Sequence, residues 1–254
     1  MGRYEGTAYE PRTYRHWVKS SDLLSFTVTV KQTDLYISAA TNLKTKALKL
    51  VVKYRDMLER YIERHPSFLT SLRPVPAAED APRIVAAMSR AADIVGVGPM
   101  AAVAGAIAEF VGTELLPFSP EIIIENGGDI YLKSFRDRMV GVYAGKSSLN
   151  GRIGLSVRGE DTPLGICASS GTVGHSLSFG QADAVVVISR SAILADAAAT
   201  AIGNLIGDSS DIQLGIDFAR TIDGLSGVLI IKDDNLGVWG KVTICEMSVQ
   251  EDNA

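Results

Sequence analysis

The chain has 254 residues, of which 46% are apolar and 21% charged, and its formal net charge is −4. That composition belongs to a globular protein able to bury one large core or two small ones. The acidic balance gives no electrostatic reason to expect nucleic acid or an anionic membrane as partner. Two cysteines, Cys167 and Cys245, lie far apart in sequence, which argues against a disulfide framework or a zinc site and for a reduced, cytoplasmic setting.

Residues 1–17 are polar and charged and lack the apolar centre of a signal peptide. The spacing then predicts a hairpin from the loosely alternating Leu24–Val30 and a second strand over 35–39. Thr41 or Asn42 is expected to cap a long helix, because Leu43, Ala47, Leu50, Val51, Tyr54, Leu58, Tyr61 and Ile62 recur at helical intervals up to His65-Pro66. Lys44, Lys46, Lys49 and Lys53 on that helix read as a solvated face, without the aromatic interleaving that stacks bases. The proline-rich 73–82 segment has linker composition, and Ala-rich helices follow over 82–95 and 99–111. The uncharged run between Asp93 and Glu109 is too short to span a bilayer. Gly96-Val97-Gly98-Pro99-Met100-Ala101 has dinucleotide-fingerprint spacing, but it follows a helix rather than a strand, so the required context fails.

The second half opens with strands over 122–125, 130–133, 139–143, 152–157 and 164–168. An apolar strand over 184–188, helices over 192–206 and 212–221, and strands over 227–231 and 238–245 complete the chain. Neighbouring strands followed by helices predict an α+β fold with largely antiparallel sheets and helices packed on them. A faint echo between 130–145 and 228–242 suggests duplication within a single domain 1–254, with halves of roughly 1–115 and 116–254.

Three motifs carry the chemistry. Asn126, Gly127, Gly128 and Asp129 lie between two strands, where they suit a tight hairpin and equally a close backbone approach to a ligand. Ser169, Ser170, Gly171 and Thr172 form a small-residue turn whose amides and hydroxyls can reach phosphate oxygens, and His175 follows three residues on. Asp196 and Thr200 stand one turn apart on a helix, so a carboxylate and a hydroxyl converge as a hard cation requires. An early-helix Asp beside a tolerated Thr accounts for the same pair structurally.

Together, the Ser-Ser-Gly-Thr turn, the Ala-Asp-Ala-Ala-Ala-Thr helix and the Asn-Gly-Gly-Asp-Ile turn resemble the signatures of the ApbE-type flavin transferase family. That resemblance implies two T-fold-like halves with the site between them. It assigns Mg²⁺ to Asp196 and Thr200, bridging the pyrophosphate of FAD. It places Asn126, Gly127, Gly128, Asp129, Ser169, Ser170, Gly171 and Thr172 around the nucleotide, with His175 as the catalytic proton carrier or a phosphate contact. Many of the family are exported lipoproteins, and this chain resembles a cytoplasmic branch without that leader.

Two departures stand out. The family's Asp-Pro-x-Thr-Gly stretch after the histidine is absent, with Ser176-Leu177-Ser178-Phe179-Gly180 in its place. Gly105-Ala106-Ile107-Ala108 resembles Gly-Gly-Ile-Ala-Lys-Gly, yet Glu109-Phe110 replace Lys-Gly, reversing a charge where phosphates are expected. The sequence therefore supports three readings. One is an Mg²⁺-dependent FAD enzyme that transfers FMN to a protein Ser/Thr hydroxyl or hydrolyses the pyrophosphate. The second is a non-catalytic nucleotide or small-anion binding protein, and the third a purely structural or partner-binding protein. Assembly into a homo-oligomer fits any of them.

Overall fold

A computed structural model describes residues 18, 20–171 and 180–247. Eight strands make one antiparallel sheet in the order β1-β2-β3-β4-β7-β8-β9-β10: β1 (Leu24–Val30), β2 (Thr33–Ala39), β3 (Ile122–Asn126), β4 (Asp129–Lys133), β7 (Leu164–Ser169), β8 (Ala184–Ser189), β9 (Leu225–Lys232) and β10 (Asn235–Gly240). Three more form a small antiparallel sheet, β11-β6-β5: β5 (Arg138–Gly141), β6 (Ile153–Val157) and β11 (Ile244–Glu246). The helices are α1 (Lys44–Arg64), α2 (Ser67–Thr70), α3 (Arg83–Val95), α4 (Val103–Leu115), α5 (Ala192–Gly203) and α6 (Ile212–Arg220). The fold is α+β with antiparallel sheets, as the element order predicts.

Strand periodicity sorts the apolar residues into two cores. Ile122, Ile124, Tyr131, Val185, Val187, Val228 and Ile230 face the helices. Ile123, Ile130, Leu132, Val186, Leu229 and Ile231 face the small sheet. Buried on both sides, β3 and β8 read as continuous apolar runs rather than alternating ones. The large sheet is thus the middle of three layers.

Helix α5 is the buried centre of the helical layer, lying against β7, β8, α3 and α4. Its alanines allow this, because a small side chain lets neighbouring backbones come close. A Cβ on Gly165 would sit 2.2 Å from the Ala192 Cα, and one on Gly105 2.2 Å from the Ala192 carbonyl oxygen. Glycine at these two places sets the depth to which α5 is sunk.

Several sequence expectations are corrected in detail. The strand expected over 238–245 is two strands in different sheets, because Gly240 turns at φ +79° and sends the chain from β10 across to β11. The echoing segments 130–145 and 228–242 also fold differently. β4 and β5 divide between the two sheets, whereas β9 and β10 form a hairpin turning at Asp233, φ +55°. The 73–82 segment is no inter-domain linker: the Ala78 N–H donates to the Tyr61 hydroxyl at 3.0 Å, and the Ser89 hydroxyl donates to the Val75 carbonyl, tying the segment to α1 and α3. Among the described residues no single helix is long and apolar enough to cross a membrane, and the apolar α3–α4 pair bends by 107° at its break.

Candidate functional site

The Asn126–Asp129 segment is a two-residue hairpin turn between β3 and β4, with Gly127 at φ +70° and Gly128 at φ +106°. Both positions have positive φ, which glycine adopts without steric cost, so Gly-Gly suits this turn. The turn fixes its flanks. Asn126 donates through Nδ2 to the Ala104 carbonyl at 3.0 Å, and Gly128 N–H donates to Glu125 Oε1 at 2.9 Å. Asp129 lies on the helix-facing side of the sheet, buried at 6% exposure, and its Oδ1 has no hydrogen-bond partner among the described residues.

Helix α5 brings Asp196 and Thr200 to the same place. One cavity of about 490 Å³ is lined by Asp129, Asp196, Thr200 and Asn204, with its other walls from 69–72 and the 97–104 turn. Oδ2 of Asp196 accepts the Gly105 N–H at 2.8 Å. Burial pushes the Asp196 carboxyl up to about 7, with the Gly105 and Ala104 amides pulling it back down. Burial likewise raises Asp129 well above the ordinary carboxyl range, and the Asp196 carboxylate adds to the rise. The Cys167 thiol and the Ala168 N–H lower it, while Glu125 raises it further. Among the described residues no lysine or arginine lines this cavity. Two buried carboxylates without a counter-charge cost several kcal/mol each as anions. The arrangement therefore favours either bound protons or a bound cation.

A second cavity of about 600 Å³ shares Leu69, Met100, Val103 and Ala104 with the first. Asn126, Ile107, Leu58 and Ile62 line it, and Arg55 stands at its rim, donating to Thr33 Oγ1 at 2.7 Å and to Glu59 Oε1 at 2.8 Å. The carboxylate chamber thus adjoins a largely apolar one. Arg55 was not legible as a site residue, because its i,i+4 partner Glu59 makes it read as a surface ion pair.

Ser169, Ser170 and Gly171 sit at the end of β7, beside the glycine turn, since Ile130 pairs with Ile166 and Gly128 comes against Ala168. None of the three lines either cavity. Ser169 Oγ is buried without a partner, and the Gly171 N–H donates to the Ala182 carbonyl at 3.0 Å. Thr172 and His175 lie outside the described residues. Cys167 is buried beneath Asp129, and its thiol also reaches the Ala192 carbonyl at 3.3 Å.

Glu109 does not face the cavity. Its Oε2 accepts from Ser191 Oγ at 2.9 Å and from Ile193 N–H at 3.2 Å, capping the N-terminus of α5. Burial raises this carboxyl, and the Ser191, Ile193 and Ala192 donors hold it down. The reversed charge at this position is thus explained by the helix end it meets, where a carboxylate is favoured. The sequence signal that was missed at this site is Asn204. It continues Asp196 and Thr200 at the next i+4 step and joins them on the cavity wall.

A family model described as AbpE bacteria matches residues 15–226. The UPF0280 protein of Methanocaldococcus jannaschii is 44% identical over 202 residues, covering 78% of this chain and 82% of that relative. The UPF0280 protein of Methanopyrus kandleri is 42% identical over 226 residues, covering 86% and 91%. Among solved structures, the apo flavinyl transferase ApbE of Pseudomonas stutzeri superposes with a TM-score of 0.56 at 12% identity, covering 85% of this chain and 93% of that one. The ApbE protein of Thermotoga maritima gives 0.53 at 11% identity, covering 85% and 96%. At such identities these likenesses speak for the fold. With its family model spanning most of the sequence, the chain belongs to the AbpE bacteria family, and it shares the fold of the ApbE flavin transferases.

Proposed function

We propose that this protein binds FAD through a Mg²⁺ ion held at Asp196 and Thr200, and transfers FMN to a protein Ser/Thr hydroxyl or hydrolyses the FAD pyrophosphate. The observation that carries this reading is the cavity with two buried carboxylates, an Asp129 oxygen unpartnered among the described residues and no basic side chain among its described lining residues. A diphosphate would be repelled there on its own, and a hard cation with oxygen ligands reverses the sign of the site. Among the described residues no cluster of three or more His, Cys, Asp or Glu side chains could hold a metal. The hydroxyl of Thr200 and oxygens from the nucleotide would then complete the shell, as suits Mg²⁺. When bound, the ion neutralises charge developing on the phosphoryl oxygens.

The chain's own residues orient the substrate. Asp196 is held by the Gly105 amide, so its position is set before any ligand arrives. The adjoining apolar chamber, with Ile107, Leu58 and Ile62, suits a planar ring of the dinucleotide. At the Ser169–Gly171 turn beside the glycine hairpin, hydroxyl donors such as Ser169 Oγ would meet phosphate, with Thr172 as the next residue in sequence and His175 as the proton carrier. The solved flavin transferases of this fold motivate the choice of a flavin nucleotide, and FAD with a protein hydroxyl as acceptor follows from the motif resemblance.

A second reading, a non-catalytic nucleotide or small-anion binding protein, is favoured by the absent Asp-Pro-x-Thr-Gly stretch. Incubation with FAD and Mg²⁺, followed by chromatography for AMP and FMN, separates the two. AMP release that chelator abolishes supports the enzyme. Mg²⁺-dependent FAD binding without AMP supports the binding protein, and no FAD binding overturns both flavin readings.

A further inference from the structure

A second, unrelated cleft opens at the opposite end of the same strands and on the other face of the large sheet. There, the chain leaves β10 at Gly240 and crosses to the small sheet. The Lys241 N–H donates to the Ser226 carbonyl and the Ser156 N–H to the Thr243 carbonyl, each at 2.8 Å, so the crossing is a fixed strap. Beside the strap lies a cleft of about 800 Å³ where the core between the two sheets reaches the surface. Its apolar floor includes Leu164, Ile188 and Val242, which belong to or pack against that core.

The rim is cationic. Arg158, Arg190 and Lys241 line it, against Asp161 as the one acidic lining residue among those described, in a chain whose overall charge is −4. Arg158 is engaged by Asp161 at 2.9 Å and by Glu160 at 2.8 Å. The side chains of Arg190 and Lys241 are exposed and make no ion pair or hydrogen bond among the described residues. Two uncommitted cations above an apolar floor form a site of mixed character. Its volume falls within the range of about 300–1,000 Å³ typical of small-molecule pockets.

We propose that this cleft binds a small organic anion with an apolar body, a carboxylate, sulfonate or phosphate on an aryl or acyl group. The apolar body would cover Leu164, Ile188 and Val242, removing that surface from water. The acidic group would lie between Arg190 and Lys241. Phosphate alone lacks the body, and a neutral hydrophobe leaves the cations unanswered. This site is independent of the flavin reading.

The test uses the full chain and two fluorescent probes of similar shape, anionic 8-anilinonaphthalene-1-sulfonate and neutral N-phenyl-1-naphthylamine. Arg190→Glu and Lys241→Glu should each weaken the sulfonate roughly tenfold or more and leave the neutral probe unchanged, since a like charge facing the ligand is strongly disfavoured. Thermal melts should match the parent, because neither side chain has a partner to lose among the described residues. Saturating FAD and Mg²⁺ should not displace the sulfonate. Equal sulfonate affinity in parent and variants overturns the proposal, as does parallel loss of both probes or displacement by FAD. A protein that binds no FAD leaves the variant comparison intact and decisive.

Discussion

Gly105 donates its backbone N–H to Oδ2 of Asp196 at 2.8 Å across 91 positions of sequence, and it can do so only because it lacks a side chain. A Cβ there would lie 2.2 Å from the Ala192 carbonyl oxygen and 2.9 Å from the Asp196 Cβ. Gly105→Ala should therefore push α4 away from α5. Overpacking of this kind costs about 1–3 kcal/mol, readable by chemical denaturation. The same variant should lose Mg²⁺-dependent FAD affinity, because the amide that positions Asp196 is displaced.

Asp196→Asn should weaken FAD binding more with Mg²⁺ than with chelator, and Thr200→Val should do so less, since it removes a neutral ligand of similar shape. The stability effect runs the other way. A carboxyl raised by burial contributes stability below its unfolded value, and that contribution is lost as the pH rises through its folded value of about 7. Without cation, Asp196→Asn should thus be more stable than the parent near about pH 8, and the gap should close toward about pH 4. Equal FAD affinity for all three proteins with and without Mg²⁺ would remove the cation reading.

Glu109→Lys installs the residue type of the flavin-transferase motif that this stretch resembles, and it should nonetheless destabilise the protein. The ammonium would face the N-terminal amides of α5 and leave Ser191 and Ile193 without their acceptor. Adverse charge at a helix end and lost hydrogen bonds together amount to about 1–3 kcal/mol. An unchanged denaturation midpoint would mean that Glu109 does not cap α5.

Arg138 is 5% exposed and ties Asp22 to Glu121, with Nη2 at 2.9 Å from Asp22 Oδ2 and 3.2 Å from Glu121 Oε2. The Arg138 hydrogen bond holds Asp22 below its ordinary 3.8. Burial raises Glu121, but Ser134, the Phe135 N–H and Arg138 outweigh it and hold it below 4.5. Lowered carboxyls stabilise the fold above their unfolded values, and this is lost as the pH falls through the folded ones. Parent stability should therefore fall below about pH 4.5 partly through this cluster. Arg138→Met should flatten that dependence and cost about 1–3 kcal/mol at neutral pH, because it removes the charge-assisted hydrogen bonds to two partly exposed carboxylates.

Alkylation distinguishes the two cysteines. Burial raises the Cys167 thiol far above its ordinary range, with the Asp129 and Asp196 carboxylates adding to it, so its nucleophilic thiolate is scarcely populated. Cys245, half-buried on β11, should react with iodoacetamide in the native protein, and Cys167 only after unfolding. Mass spectrometry of the labelled peptides reads this directly.

The sequence alone determined the strand and helix order, the antiparallel α+β class, the Gly127-Gly128 turn and the convergence of Asp196 with Thr200. All of these are local: periodicity, positive φ and the i,i+4 step are written in adjacent residues. Tertiary structure decided the rest. It brought Asp129 to Asp196 and Thr200 by sinking α5 against β7, a depth set by glycines at 105 and 165. It turned Glu109 away from the cavity and onto the end of α5. It also broke the 238–245 run between two sheets, because one residue at φ +79° redirects a chain that its neighbours would have continued. The charge of a site follows from which distant groups share its walls, and burial sets how much that charge costs. Neither is encoded at any single position.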